Sequence, residues 1–120
     1  HHPTAIATTL DGLRRKVGDG KILAVIEPRS NTMRMGSHKE ALAASTGAAD
    51  EVIWYQPPGL DWSLEPVVSE SPVPASVSND IDDIIARIVA RKGEPLSVVV
   101  MSNGGFGGIH QKLLDALKGA

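Results

Sequence analysis

Apolar residues recur at helical spacing in two segments of the chain. In the first, Ile6, Leu10, Leu13 and Val17 lie on one helix face, which predicts a helix over about 3–17 that ends at Gly18. The second segment begins at a capping residue, Asn79 or Asp80, with acidic residues in its first turn and basic residues towards its end. Its apolar stripe comprises Ile81, Ile84, Ile85, Ile88 and Val89. The capping residue, the apolar stripe and the charges at the two ends all indicate a helix there, which makes it the clearest helix of the chain.

Three aliphatic runs lie between helical patterns and predict strands at 21–26, 51–56 and 96–101. The run at 96–101 is apolar on both faces, which is typical of a strand buried in a parallel sheet that helices cover. A final helical pattern contains Ile109, Leu113, Leu114 and Leu117. Alternating strands and helices favour an α/β, Rossmann-like, three-layer domain with a mostly parallel sheet flanked by helices.

Two segments are less regular. Ser37 and Glu40 fit a capping box, which predicts an alanine-rich helix that runs to about Thr46. Residues 57–77 contain five of the eight prolines, and we expect this segment to be partly extended along the sheet edge, with a short strand around Val67 and Val68.

Composition excludes several classes of function. The net charge of −2 argues against a nucleic-acid surface, and the absence of Cys excludes disulfides and thiolate metal sites. No apolar run approaches the ~20 residues that cross a membrane. The four histidines show no metal-ligand spacing, so no metal site is predicted.

The strand at 96–101 is followed by Ser102, Asn103 and a turn with four glycines among residues 104–108. Such a turn brings main-chain N–H groups close to a ligand at the carboxyl edge of the sheet. A dinucleotide fingerprint fails because His110 occupies the position of its last glycine. Three interpretations remain open: a phosphate site, a plain tight turn, and a backbone site for a carboxylate or peptide.

The loop after the first strand contains Arg29, Arg34, His38 and Lys39 and no acidic residue. Arginines at the carboxyl edge of a sheet suit planar recognition of carboxylates. A solvated surface loop is the alternative. Together with the glycine turn, the loop favours an anionic ligand at this edge.

Three motifs resemble the C-terminal domain of the Mur ligases, and the resemblance covers nearly the whole chain. They are His-His-Pro-Thr at 1–4, Glu-Pro-Arg-Ser-Asn-Thr at 27–32 and Met-Ser-Asn-Gly-Gly-Phe-Gly-Gly-Ile-His at 101–110. The last two are the more distinctive of a family member that recycles peptidoglycan peptides.

The resemblance implies that residues 1–120 form a single acceptor-binding domain cut from a three-domain cytoplasmic ligase. The whole enzyme would use ATP and Mg²⁺, bound mainly by a central domain, to activate UDP-N-acetylmuramate as an acyl phosphate. The amine of the tripeptide L-Ala-γ-D-Glu-meso-diaminopimelate would then form the amide. The alternatives are a free-standing nucleotide or phosphate-binding module and an L-alanine-adding Mur ligase. Neither nucleic acid nor a membrane is an expected partner.

The resemblance also assigns site residues. Acceptor-peptide contacts are expected from Arg29, Asn31, Arg34, Ser102, Asn103 and Gly104. His1 and His2 match a hinge motif that faces the nucleotide. The acidic residue of that motif would precede His1. Arg29 stands where the alanine-adding relatives have a His, which fits a larger acceptor with several carboxylates. No catalytic residue is expected within this fragment.

Overall fold

A parallel four-stranded sheet forms the centre of the chain in a computed structural model. The structure describes residues 3–18, 20–27, 43–56, 65–91, 96–101, 111–113 and 115–116. The strands are β1 (Lys21–Ile26), β2 (Glu51–Tyr55), β3 (Ala75–Ser78) and β4 (Leu96–Met101). The helices are α1 (Pro3–Val17), α2 (Glu65–Ser69) and α3 (Ile81–Val89), and residues 43–45, 111–113 and 115–116 are also helical. The predicted α/β class with a parallel sheet is confirmed.

The strands are ordered β3-β2-β1-β4, and every described pair is parallel. The chain therefore moves outwards from β1 to β3 and then returns to place β4 on the other side of β1. In an open α/β sheet such a reversal opens a crevice at the carboxyl ends of the two diverging strands. Here that crevice lies between the ends of β1 and β4.

Alternating side chains of the strands divide the core into two layers. On one face, Ile22, Ala24, Ile26, Val52 and Trp54 pack with buried residues of α1, α2 and the helical residues 43–45. On the other face, Leu23, Val25, Ile53 and Tyr55 pack with α3 and Leu113. The helix before each strand thus changes face where the strand order reverses, as right-handed crossovers require.

The predicted helix at 3–17 is confirmed, and so is the helix that follows Asp80, although it ends at Val89, before Arg91, which was expected within its last turns. Ile6 and Leu10 of α1 are fully buried, and Gly18 follows the helix with φ at +61°, a conformation that glycine adopts without steric cost. Asp80 caps α3 through a hydrogen bond that its Oδ1 accepts from the backbone N–H of Asp82 at 2.9 Å. The predicted strands at 21–26 and 96–101 are also confirmed, and that at 51–56 ends one residue earlier, at Tyr55. The burial expected for 96–101 is wrong: β4 is the last strand on its side of the described sheet, so Leu96 to Val100 are only partly buried and Met101 alone is buried.

The expected strand around Val67 and Val68 is wrong. These residues belong to α2, in which Pro66 occupies the first turn and Val67 is fully buried. Proline is compatible with a first helical turn because its missing N–H has no partner there. The strand of this region is β3, which begins eight residues later and pairs with β2 along the sheet edge. The beginning of the helix predicted from Ser37 lies outside the described residues.

Arg14 joins the end of α1 to the amino ends of β1 and β2. Its guanidinium donates to the carbonyl oxygens of Gly18, Gly20 and Ala48 at 3.0, 2.6 and 3.1 Å and to Oδ2 of Asp50 at 2.6 Å. The same carboxylate oxygen accepts the backbone N–H of Ile22 at 2.7 Å. These hydrogen bonds from Arg14 and Ile22 hold the pKa of Asp50 below its ordinary value.

On the other face of the sheet, Nη1 of Arg91 lies 2.7 Å from Oε1 of Glu51. Arg14 near the end of α1 and Arg91 after α3 therefore bind two successive residues at the start of β2: Asp50, directly before the strand, and Glu51, its first residue. Among the described helices, none has the length and apolar character needed to cross a membrane.

We expect the Asp50→Asn variant to lose about 1 kcal/mol of unfolding free energy at pH 7. Because the folded pKa of Asp50 is lowered, its charged form adds stability above the ordinary carboxyl value of about 4. That stability disappears as the pH falls through the folded pKa, so the two proteins should converge in acid. Urea unfolding between pH 7 and pH 3 measures this. Asp11→Asn, on the exposed side of α1, is the control; a constant gap between wild type and Asp50→Asn would contradict the assignment.

Candidate functional site

The carboxyl ends of β1 and β4 lie side by side. Ile26 is paired with Met101, and the N–H of Glu27 donates to the carbonyl of Met101 at 2.9 Å. Arg29 follows Ile26 by three residues in the sequence, and Ser102 directly follows Met101. The cationic loop and the glycine turn therefore begin at the same edge of the sheet, where the strand order reverses.

All of the site residues predicted from the sequence lie outside the described residues. This applies to Arg29, Asn31, Arg34, Ser102, Asn103 and Gly104, and equally to His1 and His2. Their individual contacts stay predictions. The structure brings together the carboxyl ends of β1 and β4, which the cationic loop and the glycine turn follow in the sequence.

A second feature of the carboxyl edge was missed by the sequence analysis. An open cleft of about 700 Å³ lies between the ends of β2 and β3 and the first turns of α3. Its polar lining consists of Gln56, Ser78, Asn79, Asp80, Asp83 and Arg87. The sequence contained a signal for this cleft in the acidic first turn of α3. The sequence alone did not show that a strand lies beside this turn, because the small polar residues of β3 do not resemble a strand.

Hydrogen bonds and one ion pair hold the side chains of the cleft. Ser78 Oγ donates to Asp83 Oδ2 at 3.0 Å, and the same carboxylate oxygen lies 3.0 Å from Arg87 Nη2. Arg87 Nη1 also donates to Ser76 Oγ at 3.1 Å. Ser78 is buried, whereas Asp80 and Arg87 are exposed. The cleft is therefore an ordered polar surface with both signs of charge.

Tyr55 lies beneath this edge as the last residue of β2. Burial raises the pKa of its hydroxyl, and the negative charges of Glu27 and Asp80 raise it further. Glu27 directly follows β1, and Asp80 precedes α3. Two acidic residues thus act on Tyr55 at this edge, whereas the loop that follows Glu27 in the sequence is basic.

The described residues offer no metal centre, because they contain no group of three or more His, Asp or Glu that could hold an ion. Trp54 Nε1 is buried and finds no hydrogen-bond partner in the described part of the chain. It lies in the core among aliphatic side chains, away from the polar cleft.

We expect Asp80→Ala to lower the unfolding free energy by about 1 kcal/mol, because the N–H of Asp82 loses its capping oxygen. Asp80→Asn should stay within about 0.5 kcal/mol of wild type, because asparagine caps a helix as well as aspartate does. Thermal and urea unfolding of both variants measures the difference. Equal losses in the two variants would show that charge, and not capping, makes the contribution.

The chain resembles known proteins over its whole length, although it matches no family model. It is 52% identical over 118 residues to the UDP-N-acetylmuramate–L-alanyl-gamma-D-glutamyl-meso-2,6-diaminoheptandioate ligase of Escherichia coli K12, a match that covers 98% of the chain and 26% of that protein. The chain therefore spans about a quarter of the length of the curated relatives it matches.

Two crystal structures agree with this match. A murein peptide ligase from Psychrobacter arcticus superposes with a TM-score of 0.89 at 47% identity, covering 100% of the chain and 26% of that protein. A separate domain from Haemophilus ducreyi, attributed to a UDP-N-acetylmuramate:L-alanyl-gamma-D-glutamyl-meso-diaminopimelate ligase, superposes with a TM-score of 0.80 at 45% identity. That match covers 98% of the chain and 85% of the domain.

Proposed function

The chain belongs to the murein peptide ligases of the Mur ligase family, and from that premise we propose that it is the acceptor-binding domain of an ATP-dependent amide ligase. The acceptor is the tripeptide L-Ala-γ-D-Glu-meso-diaminopimelate, and the other substrate is UDP-N-acetylmuramate. The whole enzyme would have three domains, of which this is the C-terminal one, and would act in the cytoplasm in peptidoglycan recycling. The relatives' substrates and the motifs at 27–32 and 101–110 support the proposal.

The observation that supports this role most is the pairing of Ile26 with Met101 at the strand reversal. It starts the cationic loop and the glycine turn at one crevice, where ligands of open α/β sheets bind. Arg29 and Arg34 would pair with carboxylates of the acceptor, and Ser102, Asn103 and Gly104 would offer polar and main-chain groups. Asn31 would complete the polar contacts of the loop.

The contribution of this domain to the reaction would be positioning. ATP, when bound, supplies the phosphoryl group that activates the muramate carboxylate. The domain would hold the tripeptide so that its free alanyl amine meets that activated carbon, whereupon the C–N bond forms and phosphate leaves. Orientation of this kind is worth ~7–11 kcal/mol in favourable cases. Enclosing the activated carboxyl group would also keep water from it.

The nucleotide and Mg²⁺ belong to other parts of the proposed enzyme. His1 and His2 match a motif that faces the nucleotide, and the described residues contain no group of three or more His, Asp or Glu that could hold a metal ion. No step is therefore assigned to Mg²⁺ within this domain.

Calorimetry with the anionic tripeptide and with ADP separates the proposed role from that of a free-standing phosphate-binding module. A domain of this size from a relative crystallised alone, so the 120-residue chain is a suitable sample. We expect the tripeptide to bind and ADP to bind far more weakly. Binding of ADP without binding of the tripeptide would contradict the proposal and favour the phosphate-binding module.

Arg29→Ala should weaken tripeptide binding about tenfold, because a charge-assisted hydrogen bond to a carboxylate is lost. Arg15→Ala is the matched control, since Arg15 is an exposed residue of α1 close to the amino edge of the sheet. An unchanged dissociation constant for Arg29→Ala, or an equal change in both variants, would remove Arg29 from the site.

The isolated chain should neither hydrolyse ATP nor form the amide, because it contains no Gly-Lys-Ser/Thr phosphate-binding motif. A coupled assay for phosphate release, with both substrates present, measures this. Phosphate release or amide formation by the fragment would contradict the proposal that this domain catalyses neither reaction by itself.

A further inference from the structure

The cleft between β3 and α3 has a different charge from the basic loop on the same sheet edge. Asp80 Oδ1 accepts the capping N–H of Asp82, and Asp83 Oδ2 is shared by Ser78 and Arg87. The second oxygen of each carboxylate, Asp80 Oδ2 and Asp83 Oδ1, has no partner among the described residues. Two ordered carboxylates therefore face an open cleft with unused acceptor capacity.

The proposed acceptor has a positive group that the basic loop cannot bind. Its third residue, 2,6-diaminoheptanedioate, has two amino groups, one of which is consumed in the peptide bond. The other is an ammonium at the far end of the side chain, next to a carboxylate. The alanyl amine must stay free to react, so this distal ammonium is the only cation of the peptide that needs a permanent partner.

We propose that the cleft lined by Asp80 and Asp83 binds the distal ammonium of the diamino acid of the acceptor tripeptide. This inference rests on the proposed function and assigns one part of the acceptor to described residues. Arg87, which lines the same cleft, lies beside Asp83 where it can attract the neighbouring carboxylate. The cleft would then recognise the zwitterionic end of the ligand, and the basic loop its other carboxylates.

The distances allow one ligand to span both places. Adjacent strands lie about 4.8 Å apart, so the ends of β1 and β3, two strands apart, are separated by about 10 Å. A fully extended tripeptide spans at most ~11 Å, and the long side chain of the diamino acid adds to this reach. A ligand held at the β1–β4 crevice can consequently place its far end in the cleft.

The test compares two peptides that differ by one amino group. One is the natural tripeptide; the other ends in 2-aminoheptanedioate, which keeps both carboxylates and lacks the distal ammonium. Calorimetry with the 120-residue chain should show the natural peptide binding about fivefold more tightly, the range of a solvent-exposed ion pair. Equal affinities would overturn the inference.

Asp80→Asn should reduce this preference to less than twofold by weakening the natural peptide only, because asparagine preserves the helix cap and removes the charge. Asp82→Asn is the matched control: it makes the same charge change in the same helical turn, on an exposed residue that does not line the cleft. We expect it to keep the full preference.

The outcomes separate this inference from the proposed function. If neither peptide binds, the acceptor-binding role itself fails. If both bind alike, or if Asp80→Asn weakens both peptides equally, the acceptor-binding role stands and the cleft is not the ammonium site. A loss of preference in Asp82→Asn equal to that in Asp80→Asn would show a general effect of charge and would also overturn the assignment.

Discussion

The buried position of β1 between β2 and β4 is the constraint on which the rest of the structure depends. Its residues from Ile22 to Ile26 are at most 1% exposed, and they pack alternately into both layers of the core. A strand that is apolar on both faces is stable only when helices cover both faces and another strand pairs with each of its edges. With β2 and β3 on one side, β4 must come from the other, which creates the reversal at the carboxyl ends of β1 and β4.

The two edges of the sheet then have separate tasks. At the amino edge, Arg14 with Asp50 and Arg91 with Glu51 fix the beginning of β2 to the helices on both faces. These partly exposed ion pairs are weak individually, but Arg14 also satisfies three carbonyl oxygens of two connecting segments. The carboxyl edge has instead the cleft and the starts of the cationic loop and the glycine turn. The stabilising ion pairs and the proposed ligand site therefore lie at opposite ends of the same strands.

Strong periodicity made most of the fold predictable. The stripe from Ile81 to Val89 and the aliphatic run at 96–101 predicted their elements correctly, because local propensity agrees with the observed structure in both. The expected full burial of the run at 96–101 was wrong, because β4 ends the described sheet and only Met101 in it is buried. Prediction failed between 57 and 77, where local signals mislead. Adjacent valines favour a strand, yet Val67 is buried in a helix that begins with a proline. Strand β3 contains only one large apolar residue, Val77, and is held mainly by its pairing with β2.

The shared edge of the two candidate segments was predictable from the sequence, whereas the site and its members stay predictions. A basic loop after one strand and a glycine turn after another indicated a shared edge, and the register of β1 with β4 brings those strand ends together. The cleft at Asp80, Asp83 and Arg87 could not be foreseen, because the acids of a first helical turn look like ordinary dipole partners until β3 is placed beside them. Charge patterns in a sequence gain meaning only when the neighbouring strand is known.

The most direct measurement is a titration of the isotope-labelled 120-residue chain with the tripeptide, followed by amide chemical shifts in NMR spectra. We expect the largest changes on residues that follow the carboxyl ends of β1 and β4, namely 27–34 and 102–108, with further changes at 78–83. The amino edge around Gly20 and Asp50 should stay unchanged. Changes concentrated at the amino edge, with none after Ile26 and Met101, would contradict the account.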